Sequence, residues 1–273
     1  MVVNSNASMP NYDLVHHSIQ AWSDSRIYIQ SLLEGELGLV LFDHGPEPVI
    51  EILKQSYGKS MGLLFVSLVA STIVGITVGS FLALTRQKRL VFPILTITIF
   101  GISTPSFFAA ILLQQAEIQY LRTFGHRLVS VAGFGWDFEH MLLPLLVLSA
   151  RPIAYLARAI YLDLSLIMEQ AYIRTASAKG LPRDRIVSLH AFRNLAVPVL
   201  TAIGVSLRFS LGSLPIVEVF FRWPGVGYQL LNAIDGRQTQ LVTTLALAIG
   251  LTFLLSNLFL DLVYRLLDPR MRE

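Results

Sequence analysis

The sequence predicts an all-helical membrane protein with five spans, and three observations carry that reading. The chain is 53% hydrophobic and 14% charged, with a mean hydropathy of +0.60, too apolar and too poor in charge for a water-soluble domain. Five stretches, 61–84, 91–113, 141–162, 196–221 and 241–264, are each long enough to cross about 30 Å of hydrocarbon as a helix. Runs such as "MGLLFVSLVASTIVGITVGSFLALT" (61–85) lack the two-residue alternation that barrel strands need, which leaves helices as the spanning form. Cysteine is absent, which excludes disulfides, thiolate metal sites and cysteine nucleophiles. The net charge of +3 does not by itself point to nucleic acid, because basic loops on one side of a membrane give the same balance.

Taken in order, residues 1–60 form a polar segment with seven acids (Asp13, Asp24, Glu34, Glu36, Asp43, Glu47 and Glu51) against Arg26, Lys54 and Lys59, and no hydrophobic stretch precedes it. "YGKS", Tyr57–Ser60, ends like a phosphate-binding loop, but Leu53 stands where the first glycine belongs and the motif opens a span. Lys59 is expected instead to snorkel at the membrane surface. In the first span Ser71, Gly75 and Gly79 recur every four residues, a small-residue stripe that admits a close neighbour; general tolerance of glycine in membrane helices is the alternative. The second span ends in the polar run "QQAEIQ" (Gln114–Gln119). The third carries Arg151 near its middle and Arg158 nearer its end. In the fourth, Gly204, Arg208 and Gly212 share one helical face, so Arg208 is expected to point into the bundle, with Glu218 near the end. Asp261 lies near the end of the fifth. Charges at such depth face protein or water, and both a pathway role and a structural ion pair fit them. Pro105, Pro144, Pro152, Pro198 and Pro215 add breaks suited to gated helices, although proline is also common in inert spans.

Orientation follows from the basic residues. With the loop after the first span inside, the inner segments hold eleven Lys and Arg residues (Arg86, Lys88, Arg89; Arg174, Lys179, Arg183, Arg185, Arg193; Arg265, Arg270, Arg272), and the outer loops hold four (Arg122, Arg127, Arg222, Arg237). The positive-inside rule then puts the C-terminus in the cytoplasm and residues 1–60 outside. The six histidines are scattered, and no metal or triad motif gathers them. No enzyme chemistry, metal or cofactor is expected of this chain.

The longest polar interruption is "AYIRTASAKGLPRDRIVSLHAFRNLAVP", Ala171–Pro198. Residues 164–179 read as a helix, Gly180 as its stop, and Pro182 as the first turn of a second helix to about Asn194. A helix, a sharp turn and a helix also describe a DNA-binding element, and a loop made basic only by topology remains open on composition alone.

The motifs themselves carry a resemblance. "YIRTASAKGL" with "HAFRNLAVPVLT" resembles the cytoplasmic loop of ABC importer permeases of the dipeptide, oligopeptide and nickel class. "STPSFFAAILL", "LVSVAGFG" followed by "HMLLPLLVLS", "VEVFFRWPGVGYQLLNAI" and "NLFLDLVYRLLDPRMR" match the same family, over about Tyr28 to Arg272. The resemblance implies a type I importer permease fold, here without the family's first span. It implies a domain plan of an extracytoplasmic segment 1–60, a permease domain 61–264 containing a coupling loop 163–195, and a cytoplasmic tail 265–273. In the family this loop docks on an ATP-hydrolysing subunit. Ala176 and Gly180 match the small residues of the loop signature, and Tyr172, Arg174, Thr175, Lys179, His190, Arg193 and Asn194 match the class-specific positions around them. The implied partners are a second homologous permease, two ATP-binding subunits that hold ATP and magnesium, an extracytoplasmic solute-binding protein and the lipid bilayer of the inner membrane, with no nucleic acid. The implied cargo is a peptide or related small solute, with nickel as the alternative. Arg151, Arg208 and Glu218 are the residues expected along the path or its gate. "DGRQTQ" after "NAI" and the polar "QQAEIQ" depart from the family pattern at the outer side. Two other classes, a membrane-tethered DNA-binding regulator and a membrane-embedded enzyme, would need a free recognition helix or converging nucleophiles and bases.

Overall fold

The computed structural model describes residues 37–42, 45–85 and 87–267, together with Trp22, Arg26, Gln30 and Ser31. The rest of the acidic N-terminal segment, Arg86, and the tail from Asp268 lie outside the described residues, and so do His16, His17, His44, Arg270 and Arg272. The chain divides into two compact units, Met1–Ile52 and Leu53–Glu273. In the first, β1 (Leu39–Phe42) and β2 (Gly45–Pro48) pair antiparallel, with Leu39 opposite Pro48.

Helices dominate the remainder. They are α1 (Val49–Leu84), α2 (Lys88–Ser103), α3 (Ser106–Phe124), α4 (Phe138–Met168), α5 (Ala171–Ala178), α6 (Arg183–Phe221), α7 (Val226–Asp235) and α8 (Thr239–Leu267). By length and composition α1, α4, α6 and α8 can each cross a membrane, and α2 with α3 supply a fifth crossing if taken as one broken span. Two boundaries differ from the sequence reading. α1 starts at Val49 rather than at 61, because hydropathy marks where the apolar stretch begins and not where the helix does. The expected second span, 91–113, is two helices meeting at 108°. The corner is Thr104, extended at φ −74° and ψ 123°, followed by Pro105 at φ −64° and ψ 141°; proline disfavours helical backbone in the residue before it.

Packing centres on α1, α4 and α6. Ser67, Ser71, Gly75 and Gly79 form the buried stripe of α1. A Cβ on Gly75 would overlap Leu156 of α4, and one on Gly79 would lie 2.6 Å from the Ala157 carbonyl oxygen and 2.8 Å from Ile160 Cβ. The stripe is therefore a helix-contact surface, as small residues allow in membranes where dispersion and close approach drive association. Toward the α1 start, Leu63, Leu64, Leu143, Val147, Leu148, Leu214, Val217, Phe221 and Trp223 make one apolar core. At the opposite end Leu156, Ile160, Leu164, Ala191 and Leu195 make another. Phe92, Phe100, Phe108, Leu254 and Leu258 are left exposed on α2, α3 and α8, the kind of surface that acyl chains cover. α4 begins with a cap: the Asp137 carboxylate accepts from the His140 backbone N–H at 3.3 Å and from its Nδ1 at 2.8 Å. That hydrogen bond holds the Asp137 carboxyl below the usual carboxylate range.

Candidate functional site

Two clusters at opposite ends of the bundle, and two arginines between them, hold the residues singled out from the sequence. The first cluster is the loop joining α4 to α6. α4 ends at Met168 and the chain breaks at Glu169–Gln170 before α5, so the helix expected over 164–179 is two helices. Gly180 then takes φ +77° with open space around it, a conformation glycine adopts without steric cost. Pro182 caps rather than opens the next helix, at φ −65° and ψ 147°. Ile173, Ala176 and Ile186 are buried against Met168 and Leu181, which folds the loop on itself as a small hydrophobic knot. Ala176 is thus turned inward, where its size lets α5 close on the start of α6.

The outer surface of the knot is cationic. Arg174, Lys179, Arg183, Arg185 and Arg193 are all exposed, and none pairs with a carboxylate among the described residues. Thr175 is exposed and donates back to the Ala171 carbonyl at 3.0 Å. The Asn194 side-chain amide donates to the Tyr172 hydroxyl at 3.1 Å and to the His190 carbonyl at 2.8 Å, tying α5 to α6. Between these attachment points Ile186–Ala191 is a π-helical turn, a local widening frequent at functional sites. Arg183 reaches out of the knot and donates to the Leu84 carbonyl at 2.7 Å, satisfying one of the last carbonyls of α1. Leu84, Val187, Ser188 and Phe192 line a shallow groove beside it. Because Arg183–Phe221 is one continuous helix of 39 residues, no recognition helix is free to enter a DNA groove.

The second cluster joins α1, α6 and α7. Glu218 is fully buried; its carboxylate accepts from Ser60 Oγ at 2.5 Å and from the Gly227 backbone N–H at 2.7 Å. Ser60 Oγ in turn accepts from the Val226 N–H at 2.8 Å. These bonds satisfy leading N–H groups of α7, which no residue of that helix can reach, and place acceptor oxygens at the positive end of its dipole. Gly225 and Gly227 are required there: a Cβ on Gly225 would press into the Glu218 side chain and one on Gly227 into Pro215. Beside them Trp223 is fully buried, donates from Nε1 to the Lys59 carbonyl at 3.2 Å, and stacks edge-on against Phe134 and Trp136. Lys59 lies over the Phe134 ring at 4.9 Å. Tyr57–Ser60 is helical throughout, so its amides are engaged and cannot cradle a phosphate. The polar run "QQAEIQ" has its explanation at this end too. Gln114 donates to the Val131 and Phe220 carbonyls, and buried Glu117 accepts from the Leu128 and Val129 N–H groups, pinning the 125–137 connection.

Between the clusters, Arg151 donates from Nε to the Ile102 carbonyl at 3.0 Å and lies 5.0 Å from the Phe209 ring centre. Arg208 does not enter the packed interior as expected. It is exposed and donates to Asn257 Oδ1 of α8 at 2.9 Å, on the face where Gly204 admits Tyr264 and Leu260 of the same helix. Gly212 meets nothing within 4 Å, so the shared face is only partly covered. Trp223, the Arg183 contact and the roles of Ser60, Gln114 and Glu117 were not read from the sequence. Ser60 stood there only as the end of "YGKS", and Gln114 and Glu117 only in the odd polarity of "QQAEIQ".

Residues 75–273 match the family of binding-protein-dependent transport system inner membrane components. This chain belongs to that family. As a permease of this kind it has several named relatives. The glutathione transport system permease protein GsiC of Escherichia coli strain K12 is 31% identical over 248 residues, covering 90% of this chain and 78% of that protein. The probable peptide ABC transporter permease protein y4tP of Sinorhizobium fredii is 29% identical over the same shares. The dipeptide transport system permease protein DppB of Alkalihalophilus pseudofirmus is 27% identical over 273 residues, 92% of this chain and 81% of that protein. The protein is accordingly a multi-pass inner-membrane permease subunit of an ABC importer, working in a complex with other subunits.

Proposed function

We propose that this permease carries peptides or related small solutes of the kind named for its relatives, dipeptides and glutathione, into the cytoplasm. Its α4–α6 loop takes the stroke from an ATP-hydrolysing subunit. The observation that carries the reading is the folded knot at Ala171–Asn194: internally packed, with five exposed cations that pair with no carboxylate among the described residues, against one exposed acid, Asp184. Such a surface suits an acidic partner groove, where charge complementarity sets register and encounter. Tyr172, Thr175, His190 and Asn194 hold the knot's shape, and Arg174, Lys179 and Arg193 meet the partner.

The complex on this reading has a second homologous permease, two ATP-binding subunits that carry ATP and magnesium, and an external solute-binding protein. The C-terminus and residues 265–273 face the cytoplasm, residues 61–264 form the permease domain and residues 1–60 lie outside. Arg151 and Arg208 border the path, and Glu218 holds its outer end. Nickel is the alternative cargo.

The test is charge reversal on the exposed positions Arg174 and Lys179, beside Gly180→Trp, in the assembled transporter. The expected result is normal membrane insertion with loss of both solute uptake and solute-stimulated ATP hydrolysis. Wild-type coupling in all three variants would sink the docking assignment.

A further inference from the structure

The corner between α2 and α3 opens a cavity of about 180 Å³, lined by Thr104, Ser106 and Ala109 of the corner, Leu148 and Arg151 of α4, and Ser213 of α6. Its lining holds hydroxyls and one guanidinium but no carboxylate, and the guanidinium can only donate. Arg151 lies near the middle of a 31-residue spanning helix and uses one N–H on the Ile102 carbonyl. No carboxylate among the described residues pairs with it. A guanidinium at that depth is costly unless it meets water, an opposite charge or backbone carbonyls; one carbonyl and the Phe209 ring at 5.0 Å engage part of it and leave other N–H groups for the cavity. The hydroxyls of Ser106 and Ser213 line the same space, and neither is engaged by a protein acceptor among the described residues. α3 also begins here, and its N-cap, Pro105, supplies no side-chain acceptor for the leading N–H groups. Irregular backbone at membrane depth persists where it lines a cavity, and broken spanning helices turn such starts toward anionic groups of a solute.

We propose that this corner cavity receives a carboxylate of the solute in transit, with the Arg151 guanidinium as counter-charge and the Ser106 and Ser213 hydroxyls as further donors. The assignment rests on the importer reading and adds to it the chemical group recognised. The planar fork of arginine accepts a carboxylate through two parallel hydrogen bonds, and the volume admits such a group with the atoms that bear it. A solute lacking the carboxylate leaves the cationic cavity uncompensated, which makes the corner a selective point as well as a stopping point.

The chain has no cysteine, so Ser213→Cys gives a single reporter thiol on this chain within the assembled transporter in proteoliposomes. The probes are two methanethiosulfonates of similar size, one sulfonated and one carrying trimethylammonium, with modification read on this chain by mass. With each rate divided by that probe's rate on a free thiol in solution, the anionic probe is expected to react about tenfold faster than the cationic one, as a unit charge a few ångströms away in a partly hydrated site dictates. The ratio should fall to near one with Arg151→Gln and persist with Arg151→Lys. Dialanine should slow modification, and dialanine amide should not. Equal rates with Arg151 present, a preference that survives Arg151→Gln, equal protection by the amide, or no modification during ATP turnover would each overturn the proposal. The charge preference is read without uptake, so its failure leaves the docking of the loop standing, whereas failure of the loop variants to uncouple removes the docking assignment and leaves the corner cavity untouched.

Discussion

Replacing Glu218 with alanine should release α7 without unfolding the bundle. The side chain is fully buried and accepts from Ser60 Oγ and the Gly227 N–H. Truncation strands both donors where water cannot replace the acceptor, at about 1–3 kcal/mol each. Removing a buried carboxylate also returns part of its own desolvation cost, so the net loss should be about 2–4 kcal/mol, confined to the ten-residue helix and its approach. At about 1.4 kcal/mol per decade, amide exchange in residues 223–235 should accelerate by roughly 30- to 1,000-fold. Hydrogen exchange read by mass on the transporter in nanodiscs gives the number, with 145–160 of α4 as the internal reference. Glu218→Gln, which keeps one acceptor, should fall between the two. Unchanged exchange in α7 would refute the capping role, and uniform acceleration across the bundle would show that Glu218 supports the whole fold rather than one helix.

Other positions make narrower predictions. Gly79→Leu should cost at least about 1–3 kcal/mol by overpacking against Ala157 and Ile160, seen as lost thermal stability in detergent. Gly58→Ala, with nothing within 4 Å, should be neutral or gain about 0.5–1 kcal/mol of helix propensity. Arg183→Ala removes the hydrogen bond to the Leu84 carbonyl and should fray the end of α1 by about 1 kcal/mol, visible as faster exchange near residue 84 with the α5 knot unchanged. Asp137 titrates below the usual range because His140 donates to it. The stabilisation of its carboxylate is therefore present above the unfolded-state value and lost only as pH falls through the lowered one. Exchange in the first turn of α4, corrected for the intrinsic rate, should stay flat from about pH 8 to 5 and rise in stronger acid.

Much of the architecture was legible because lipid imposes a length and a polarity on every span, and α4, α6 and α8 fall where the apolar stretches put them. The corner was not. Pro93, Pro144, Pro152, Pro198 and Pro215 all sit inside helices, so proline alone did not distinguish Pro105; what differs is an extended Thr104 with a cavity beside it. The Gly180–Pro182 turn could be read from local backbone preference, whereas the π-turn at Ile186–Ala191 and the Asn194–Tyr172 tie depend on packing. Glu218 stood out as a charge in an apolar stretch, but Ser60 lies 158 residues away, and nothing in its own neighbourhood marks it as a partner. Arg208 shows the limit of face arithmetic. The shared face with Gly204 was right, yet α8 covers only part of it.

The two attachments of α1 have a mechanical consequence. Arg183 grips it at Leu84 and Glu218 grips it at Ser60, about 36 Å apart along an α-helix, and no proline interrupts the interval. A bar fastened twice cannot tilt at one fastening without levering the other. Any displacement of the basic knot that tilts α1 must therefore reach the α7 start within the same movement, so that the two faces of the membrane keep a common beat through a single stretch of backbone.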